Sequence, residues 1–408
     1  MIENKKKILF ICHRIPFPPN KGDKIRTYNE VKYFSKTYNI DIISFADDPK
    51  DLKYTSDLKA YCRHIYIYPL APLFGKLKGL LKLILGGSIS EGYFYDKKAC
   101  KKVSDLLKQK DYHTIFCFSS PMAEYVFKNL SDIEQKTTRP KLIMDFCDVD
   151  SDKWKQYSEK STFPMNFVYQ KESERLLKYE KKINKIFDAS IFVSDNEAKL
   201  FKQLVPKAEN VISISNGVDF NYFSHSPEIN TKQESSSIIM FAGAMDYYAN
   251  IEGVTWFCKK IFPKIRAMLP ATRFLIVGSN PTPAVKELAH IKNVEVTGFV
   301  EDIRPYYKKA AVCAIPLRIA RGVQNKVLEA MAMGKPVVST SVALDGIQAE
   351  NGKHIIKTDD PEKFAQAIIN LMDDPSLSIT YGKAARKFVE KKFSWDSCLK
   401  KLDTIIEA

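Results

Sequence analysis

The chain has 408 residues, of which 45% are hydrophobic and 27% are charged, and its formal net charge at pH 7 is +15. This length is enough for two domains with separate cores, and no apolar run approaches the roughly 20 residues of a membrane-spanning helix. No zinc-finger, RNA-recognition or arginine-rich signature is present, so nucleic acid is not an expected partner. The positive charge indicates phosphorylated substrates or an anionic membrane surface. The alternative is that the charge only reflects a lysine-rich composition.

The first predicted element is a buried strand at residues 8–12. Three lysines precede this apolar run, as they would in a signal peptide. The run is too short for a signal peptide, and no small-residue cleavage segment follows it, so a buried strand is the expected structure. Eight cysteines occur without a C-x-x-C pair, and Cys12, Cys117 and Cys313 lie inside apolar runs. This usage predicts reduced, buried thiols in a cytoplasmic protein instead of disulfides or a zinc site.

Short apolar strands alternate with amphipathic helices through the first half of the chain. This is the pattern of an open parallel sheet covered on both faces. A helix is predicted from about Lys24, after a basic loop in which Gly22 is the one glycine, and a strand-like run at 211–215 leads into the turn 216–219. The other predicted strands are residues 8–12, 40–45, 114–118, 141–144 and 190–193.

Residues 73–85 have the period of an amphipathic helix. Five apolar residues share one face, Lys78 and Lys82 lie opposite, and Lys76 flanks the apolar stripe. Such a helix can lie in a lipid headgroup layer, or it can pack its apolar face on the sheet with its lysines in water. Gly75 and Gly79 weaken the helical propensity in either case. The apolar stripe consists of Leu73, Leu77, Leu80, Leu81 and Ile84.

Four aspartates follow the predicted strand at 141–144, namely Asp145, Asp148, Asp150 and Asp152. Alternate acids on a loop can bind Mg²⁺ or supply a general base. They are equally typical of an Asp-rich turn that caps the next helix. Asp148 is the candidate site residue of this cluster.

The second half repeats the alternation of strands and helices, with predicted strands at 238–242, 273–277, 294–296, 312–315 and 336–339. Three of these strands run into a glycine: Gly243, Gly278 and Gly298. Glycine at a strand end indicates a tight turn or the close approach of a ligand to the backbone. Two doubly wound sheets would place their strand ends around a cleft, which is the usual ligand position in such folds.

Residues 318–331 surround a helix start with cations. Arg318, Arg321 and Lys326 supply positive charge, Gly322 allows a close backbone approach, and Glu329 lies about one turn into the helix within an apolar run. A helix N-terminus with such cations suits a diphosphate, and a carboxylate suits sugar or ribose hydroxyls. The alternative is a surface helix with solvated charges.

The segment 322–339, together with 216–219 and 298–300, resembles the retaining glycosyltransferases of family 4, which have the GT-B fold. Segments 145–150 and 241–247 are similar to a subgroup associated with exopolysaccharide and exosortase systems. The resemblance implies a nucleotide-sugar donor held by the C-terminal domain and an acceptor held by the N-terminal domain. It also implies that a terminal helix at about 381–401 crosses back to the first domain.

The resemblance assigns roles to individual residues. It implies that Val300 lies beside the nucleotide base, that Gly22 lies near the diphosphate and that Lys326 binds phosphate. Two positions depart from the family pattern. The first glutamate of the E-x7-E motif is replaced by Arg321, so that only Glu329 matches, and Met245 lies in the region where the family has a phosphate-binding arginine.

These observations predict a cytoplasmic retaining glycosyltransferase, peripheral on the inner face of the membrane. It would move a sugar from a nucleoside-diphosphate sugar to a lipid-linked or polysaccharide acceptor, without a metal or other cofactor. A GT-B sugar-nucleotide epimerase and a non-catalytic nucleotide-binding partner protein are the alternatives. The predicted domains are 1–205, 206–380 and a crossover helix at 381–408.

Overall fold

The computed structural model describes residues 5–224, 237–320 and 322–407. It divides into two compact units. Unit 1 comprises Met1–Ile214 and Leu399–Ala408, and unit 2 comprises Ser215–Cys398. The chain therefore enters unit 2 directly after strand 211–213 and returns to unit 1 for its last ten residues. Most of the polar segment 224–237, for which the sequence predicts a surface loop, lies outside the described residues.

Unit 1 is built on a parallel sheet that has seven strands within the described ranges, in the order β3-β2-β1-β4-β5-β6-β7. In the central strand, Ile8 pairs with Ile40 on one side and Thr114 on the other. The central strands β1 and β4 are mostly apolar and buried, as expected for a parallel sheet with both faces covered. They are β1 (Lys7–Cys12), β2 (Asn39–Ala46), β3 (His64–Pro69), β4 (Thr114–Phe118), β5 (Lys141–Cys147), β6 (Ala189–Phe192) and β7 (Val211–Ser213).

Unit 2 contains a second parallel sheet, of six strands in the part of the chain that the structure describes, in the order β10-β9-β8-β11-β12-β13. Both sheets change direction of winding at their first strand, which is the doubly wound arrangement that the sequence predicts. The strands are β8 (Ile238–Ala242), β9 (Arg273–Val277), β10 (Val294–Gly298), β11 (Val312–Ile315), β12 (Val337–Ser339) and β13 (Ile356–Lys357).

The helices connect successive strands in both units. Those of unit 1 are α1 (Gly22–Phe34), α2 (Pro72–Ile84), α3 (Ile89–Phe94), α4 (Lys97–Gln109), α5 (Ala123–Phe127), α6 (Leu130–Glu134), α7 (Asp150–Lys160), α8 (Met165–Ile186) and α9 (Asp195–Leu204). Those that follow are α10 (Tyr248–Trp256), α11 (Phe262–Met268), α12 (Pro283–Lys286), α13 (Arg304–Lys309), α14 (Asn325–Ala332), α15 (Pro361–Asp373), α16 (Pro375–Lys392), α17 (Trp395–Leu399) and α18 (Lys401–Glu407). No helix in the described ranges is long and apolar enough to cross a membrane.

The predicted terminal helix at 381–401 is wrong as a single element, because α16, α17 and α18 replace it. The chain leaves the helix at Phe393, whose carbonyl accepts a hydrogen bond from the Val218 amide at 2.7 Å. Ser394 then pairs with Val218 as a short parallel bridge, and its side chain accepts from the amide of Ser397 at the start of α17. Gly217 fits here because any side chain at this position would overlap the backbone of Trp395.

Candidate functional site

The loop between β11 and α14 is the region of unit 2 in which the sequence predicts a phosphate site. Helix α14 begins at Asn325, close to the start that the sequence predicts near Val323 or Gln324, and Gln324 is its N-cap residue without a side-chain cap hydrogen bond. Gly322 is buried and has φ +56°, a left-handed conformation that favours glycine. The apolar side of α14 is fully buried, while Lys326 and Glu329 are only half-buried.

Lys326 is held by an amide side chain. Its Nζ donates to Oδ1 of Asn250 at 2.6 Å, and it lies 4.8 Å from the ring centroid of Phe241. The Nδ2 of Asn250 in turn donates to the carbonyl of Ala244 at 2.8 Å, which fixes the orientation of the amide. Burial lowers the pKa of Lys326 to about 8, and the charge of Glu329 opposes this shift only in part. An anion beside this ammonium would raise its pKa again.

Gly243 makes room for this pair of residues. A Cβ atom at position 243 would lie 2.7 Å from Nδ2 of Asn250 and 3.3 Å from Nζ of Lys326. Gly278, at the end of the neighbouring strand β9, has φ +152°, and a Cβ there would overlap the carbonyl oxygen of Gly243. The ends of β8 and β9 therefore approach one another with glycine on each side. The structure brings the predicted residues Gly243 and Lys326 together.

Glu329 lies one turn after Lys326 on the same helix. Its Oε2 accepts a hydrogen bond from the Tyr307 hydroxyl at 3.1 Å. Burial raises the pKa of Glu329, and the hydrogen bond from Tyr307 and the charge of Lys326 oppose that rise. A carboxylate oxygen can accept more than one hydrogen bond, so Glu329 can also accept hydrogen bonds from hydroxyl groups of a ligand.

Asn216 and Asn325 join the turn at 216–219 to the start of α14, because the Nδ2 of Asn216 donates to Oδ1 of Asn325 at 3.0 Å. The sequence alone does not predict Asn325, Asn250 or Tyr307 as parts of this site. Asn325 is the first residue of α14, whereas Asn250 lies on α10 and Tyr307 on α13. Nothing in the spacing of Asn250 and Tyr307 marks them, and only the fold brings these two side chains to α14.

The predicted cation Arg318 is engaged elsewhere in unit 2. Its guanidinium forms a salt bridge with Glu252 on α10 and lies 5.3 Å from the ring centroid of Trp256. The positive charge of Arg318 is therefore compensated by a carboxylate. Arg321 lies outside the described residues.

Val300 and Gly298 lie at the end of β10, two strands away from β8. Gly298 has φ +72°, and a Cβ atom there would meet open space. Phe299 is exposed and Val300 is half-buried. Gly298 and Val300, like Gly243 after β8, lie at or just after the carboxyl end of a strand in the same parallel sheet. This is the edge at which doubly wound sheets bind ligands.

Gly22 belongs to unit 1, where it begins α1, and a Cβ atom added there would meet open space. Two cations on the same helix are paired with carboxylates. Lys24 is buried and bonds Asp51 at 2.6 Å, and the fully buried Arg26 bonds Asp145 through Nε and Nη2 at 2.8 and 2.6 Å. These cations therefore stabilise unit 1 itself.

Asp148 also belongs to unit 1 and is half-buried in the turn after β5, where its amide donates to the carbonyl of Phe146 at 2.8 Å. Its neighbours have structural roles: Asp145 receives Arg26, and Asp150 pairs with Lys153. Over the described ranges, no group of three or more histidine, cysteine, aspartate or glutamate side chains is arranged to hold a metal ion.

Comparison with known proteins places this geometry in a family context. Residues 236–374, which include β8 to β13 and the whole Lys326 region, match the family described as "Glycosyl transferases group 1". The predicted enzyme class is therefore confirmed.

Two sequence relatives are similar to this chain. An uncharacterized 44.6 kDa protein in the cps region of Klebsiella pneumoniae is 22% identical over 398 residues, which cover 95% of this chain and 96% of that protein. The capsular polysaccharide biosynthesis glycosyltransferase CapM of Staphylococcus aureus is 32% identical over 130 residues, 30% of this chain and 34% of CapM.

Solved structures extend the likeness to the whole chain. The crystal structure of Anabaena Alr3699/HepE in complex with UDP and glucose superposes with a TM-score of 0.69 at 17% identity, covering 99% of this chain and 100% of that one. At this level of identity the likeness concerns the fold. The predicted GT-B fold is confirmed.

Proposed function

We propose that this chain is a retaining glycosyltransferase that moves a sugar from a nucleoside-diphosphate sugar to a lipid-linked or polysaccharide acceptor. The observation that carries the proposal is the pairing of Lys326 with Asn250 beside Gly243, with Glu329 one turn away. It lies inside the group 1 domain, at the carboxyl edge of its sheet. The binding of UDP and glucose by Alr3699/HepE and the polysaccharide named for CapM support the donor and acceptor classes.

The chemistry of the donor follows from the charges at α14. Lys326 would contact the diphosphate and stabilise the negative charge that develops on it as the bond to the sugar breaks. The buried Gly322 and the first backbone amides of α14 would add hydrogen bonds from the backbone. Glu329 would accept hydrogen bonds from hydroxyls of the donor.

Arg318 has a smaller role in this proposal than the sequence predicts, because Glu252 already neutralises it. Arg321 remains a predicted phosphate or acidic-sugar contact. Asp148 remains a predicted catalytic residue, Gly22 a predicted contact of the diphosphate and Val300 a predicted contact of the nucleotide base. We also propose that no metal is required, so that activity should survive EDTA; complete loss restored by Mg²⁺ or Mn²⁺ would contradict this.

A thermal-shift screen with UDP, GDP and their sugars tests the donor class. A ligand present at about 100 times its dissociation constant raises the free energy of unfolding by about 2.7 kcal/mol. The nucleotide that shifts the unfolding midpoint therefore identifies the nucleotide base of the donor. No shift with any of them would contradict the proposal.

Donor consumption with and without a crude lipid acceptor separates the alternatives. A transferase consumes donor only when acceptor is present, an epimerase converts donor without acceptor, and a non-catalytic protein binds nucleotide with no turnover. The anomeric configuration of the product, read by NMR, tests retention. The cytoplasmic location, on the inner face of the membrane, belongs to the same proposal.

A further inference from the structure

Helix α2 of unit 1 exposes its apolar face. Leu73 is 84% exposed, Leu77 64% and Ile84 74%. These residues belong to the stripe that a globular protein would bury against its sheet, and an apolar patch of this kind usually marks an interaction surface. Phe74, Leu80, Leu81 and Leu85 on the same helix and its C-terminal turn are also exposed.

The side of α2 that packs on the protein is made of glycine. A Cβ atom at Gly75 would lie 2.9 Å from the ring of Tyr93, and one at Gly79 would lie 2.8 Å from Ile89. The two glycines therefore let α2 lie directly on α3. This overturns the alternative in which the helix packs its leucines on the sheet.

Two of the lysines on α2 are occupied by this packing. Lys78 donates to the carbonyl of Tyr95 at 2.7 Å, and Lys82 forms a 3.3 Å ion pair with Glu91 on α3. Both contacts hold α2 and α3 together. Lys76 is exposed to solvent.

A cavity of about 450 Å³ opens between the C-terminal end of α2 and helix α8, within unit 1. Arg175, Lys178 and Lys182 of α8 line one side of it at helical positions i, i+3 and i+7, so they share one face. In the part of the chain that the structure describes, these three cations make no salt bridge. Glu91 also lines the cavity but is engaged by Lys82.

Two glycines shape the mouth of this cavity. Gly86 has φ +94°, and a Cβ atom there would lie 3.9 Å from Nη1 of Arg175. A Cβ atom at Gly87 would overlap the side chain of Lys82. The glycine turn after α2 thus brings the end of the apolar stripe next to the cations of α8.

The α2–α3 pair lies at the carboxyl edge of the sheet of unit 1. Phe94, the last residue of α3, packs edge-on against the His13 ring with centroids 5.4 Å apart, and His13 directly follows β1. This is the edge at which doubly wound sheets receive ligands.

We propose that unit 1 docks on an anionic phospholipid surface through the exposed face of α2, and that the cavity between α2 and α8 takes a phosphate of a lipid headgroup. The apolar stripe enters the acyl boundary, and the cations next to its end lie at headgroup depth, where charge complementarity favours anionic lipid. Arginine suits a phosphate because its guanidinium donates two parallel hydrogen bonds. The inference deepens the proposed function by bringing the acceptor edge of unit 1 to the surface that carries a lipid-linked acceptor.

Co-sedimentation of the full chain with vesicles tests the docking. The vesicles are phosphatidylcholine alone or mixed equally with phosphatidylglycerol, at low and high salt. We expect partitioning onto the mixed vesicles at low salt, and its loss at high salt or on phosphatidylcholine alone. Equal binding to both vesicles, or binding to neither, would overturn the proposal.

Charge reversal locates the cations responsible. Each cation near an anionic surface contributes about fivefold in partitioning, so Arg175→Glu with Lys178→Glu should reduce it by at least about 25-fold. The matched control reverses Lys98 and Lys101 on α4, which are exposed and belong to the same unit. Equal loss in the control would mean that net charge alone drives binding and would overturn the cavity assignment. Lys178→Glu with Lys182→Glu replaces the first variant if that one does not fold.

A third variant and a soluble phosphate separate the remaining explanations. Leu77→Glu with Leu81→Glu, both at exposed positions, should reduce partitioning at least tenfold while the unfolding midpoint stays the same; retained partitioning would remove α2 from the surface. If glycerol phosphate binds the cavity but the protein does not bind vesicles, the cavity is assigned to a soluble ligand and the proposal is overturned. Thermal shifts with UDP and GDP report on unit 2 separately, so failure of the proposed function and failure of docking are distinguishable.

Discussion

Units 1 and 2 each have cations near a glycine-containing loop, but these cations have different kinds of partner. In unit 1 the cations follow β1, and in unit 2 the cation lies on α14. In unit 1, Arg14 bonds two aspartates, Lys24 bonds Asp51 and Arg26 bonds Asp145. In unit 2, Lys326 bonds the neutral amide of Asn250. The first group is neutralised within the protein, whereas the second keeps a positive charge that an anionic ligand can use.

The electrostatics of the carboxylates show the same difference. Burial would raise the pKa of Asp23, but the hydrogen bonds and charges of His13 and Arg14 outweigh burial and hold the pKa well below its usual range. For Glu329, burial prevails over Tyr307 and Lys326, and the pKa is raised. A basic sequence motif therefore indicates an anion site only where the fold leaves the cation without a carboxylate partner.

Breaking a pair in unit 1 should have the largest effect, and it should affect folding. Arg26→Ala removes the partner of Asp145 in a fully buried position, and loss of one member of a buried ion pair costs about 3–5 kcal/mol. Urea denaturation should show this loss, while Lys98→Ala, at an exposed position, should change stability by less than about 0.5 kcal/mol. A loss below about 1 kcal/mol for Arg26→Ala would mean that this pair is not structural.

Removing the cation of unit 2 should instead affect binding. Lys326→Ala deletes a charged hydrogen-bond donor, so the affinity for UDP or GDP in calorimetry should fall by about 1.5–3 kcal/mol. Stability at pH 7 should not fall, because burial disfavours the charged lysine in the folded state. Lys363→Ala, on α15 of the same unit, is the control and should leave nucleotide affinity unchanged. Equal affinities of the Lys326 variant and the wild type would remove this residue from the site.

The pH dependence of nucleotide binding sharpens the comparison. Because burial lowers the pKa of Lys326 to about 8, the protonated fraction falls from about nine-tenths at pH 7 to about one-tenth at pH 9. Calorimetry should therefore show the affinity for nucleotide falling by up to about tenfold over this range. Lys326→Arg keeps its charge and should give a flat profile; an equal decline in that variant would assign the titration to another group.

The stability of the ligand-free protein should respond in the opposite direction. The unfolded lysine keeps its ordinary pKa, so above pH 8 the unfolded state binds more protons at this position than the folded state does. The contribution of Lys326 to stability therefore rises with pH from about 8 to about 10.5. Urea denaturation of the wild type and of Lys326→Arg across this range should differ in slope.

The fold was predictable because most strands are short apolar runs with clear ends. The predicted strands at 114–118, 238–242, 273–277 and 312–315 match β4, β8, β9 and β11 exactly. The prediction omits β3 at the sheet edge, where the residues are half-buried and isoleucine alternates with histidine and tyrosine, and β13, which has only two residues. Edge and very short strands carry weak hydrophobic signals, since they are only partly covered.

The candidate site was predictable only in part. Lys326, Glu329 and Gly243 follow from local sequence, because a glycine after a strand and charges at a helix start are local signals. The roles of Asn250 and Tyr307 and the pairing of Arg318 with Glu252 depend on contacts between residues 22 to 76 positions apart, which only the sheet order creates. The exposure of α2 was also not predictable from local sequence. Its hydrophobic pattern defines an apolar face but does not tell whether that face points to the sheet or to solvent.

Tyr307→Phe should produce the smallest effect and test whether Glu329 acts as a carboxylate. The Tyr307 hydroxyl opposes the burial that raises the pKa of Glu329, so its removal should raise that pKa further. If donor recognition needs the ionised form, the acid limb of the kcat/KM profile for donor should move to higher pH by about one to two units, since a hydrogen bond to a charged group is worth about 1.5–3 kcal/mol and one pKa unit corresponds to about 1.4 kcal/mol. Tyr306→Phe on the same helix is the matched control and should leave the limb in place. A shift to lower pH, or the same shift in both variants, would show that Tyr307 does not support an ionised Glu329.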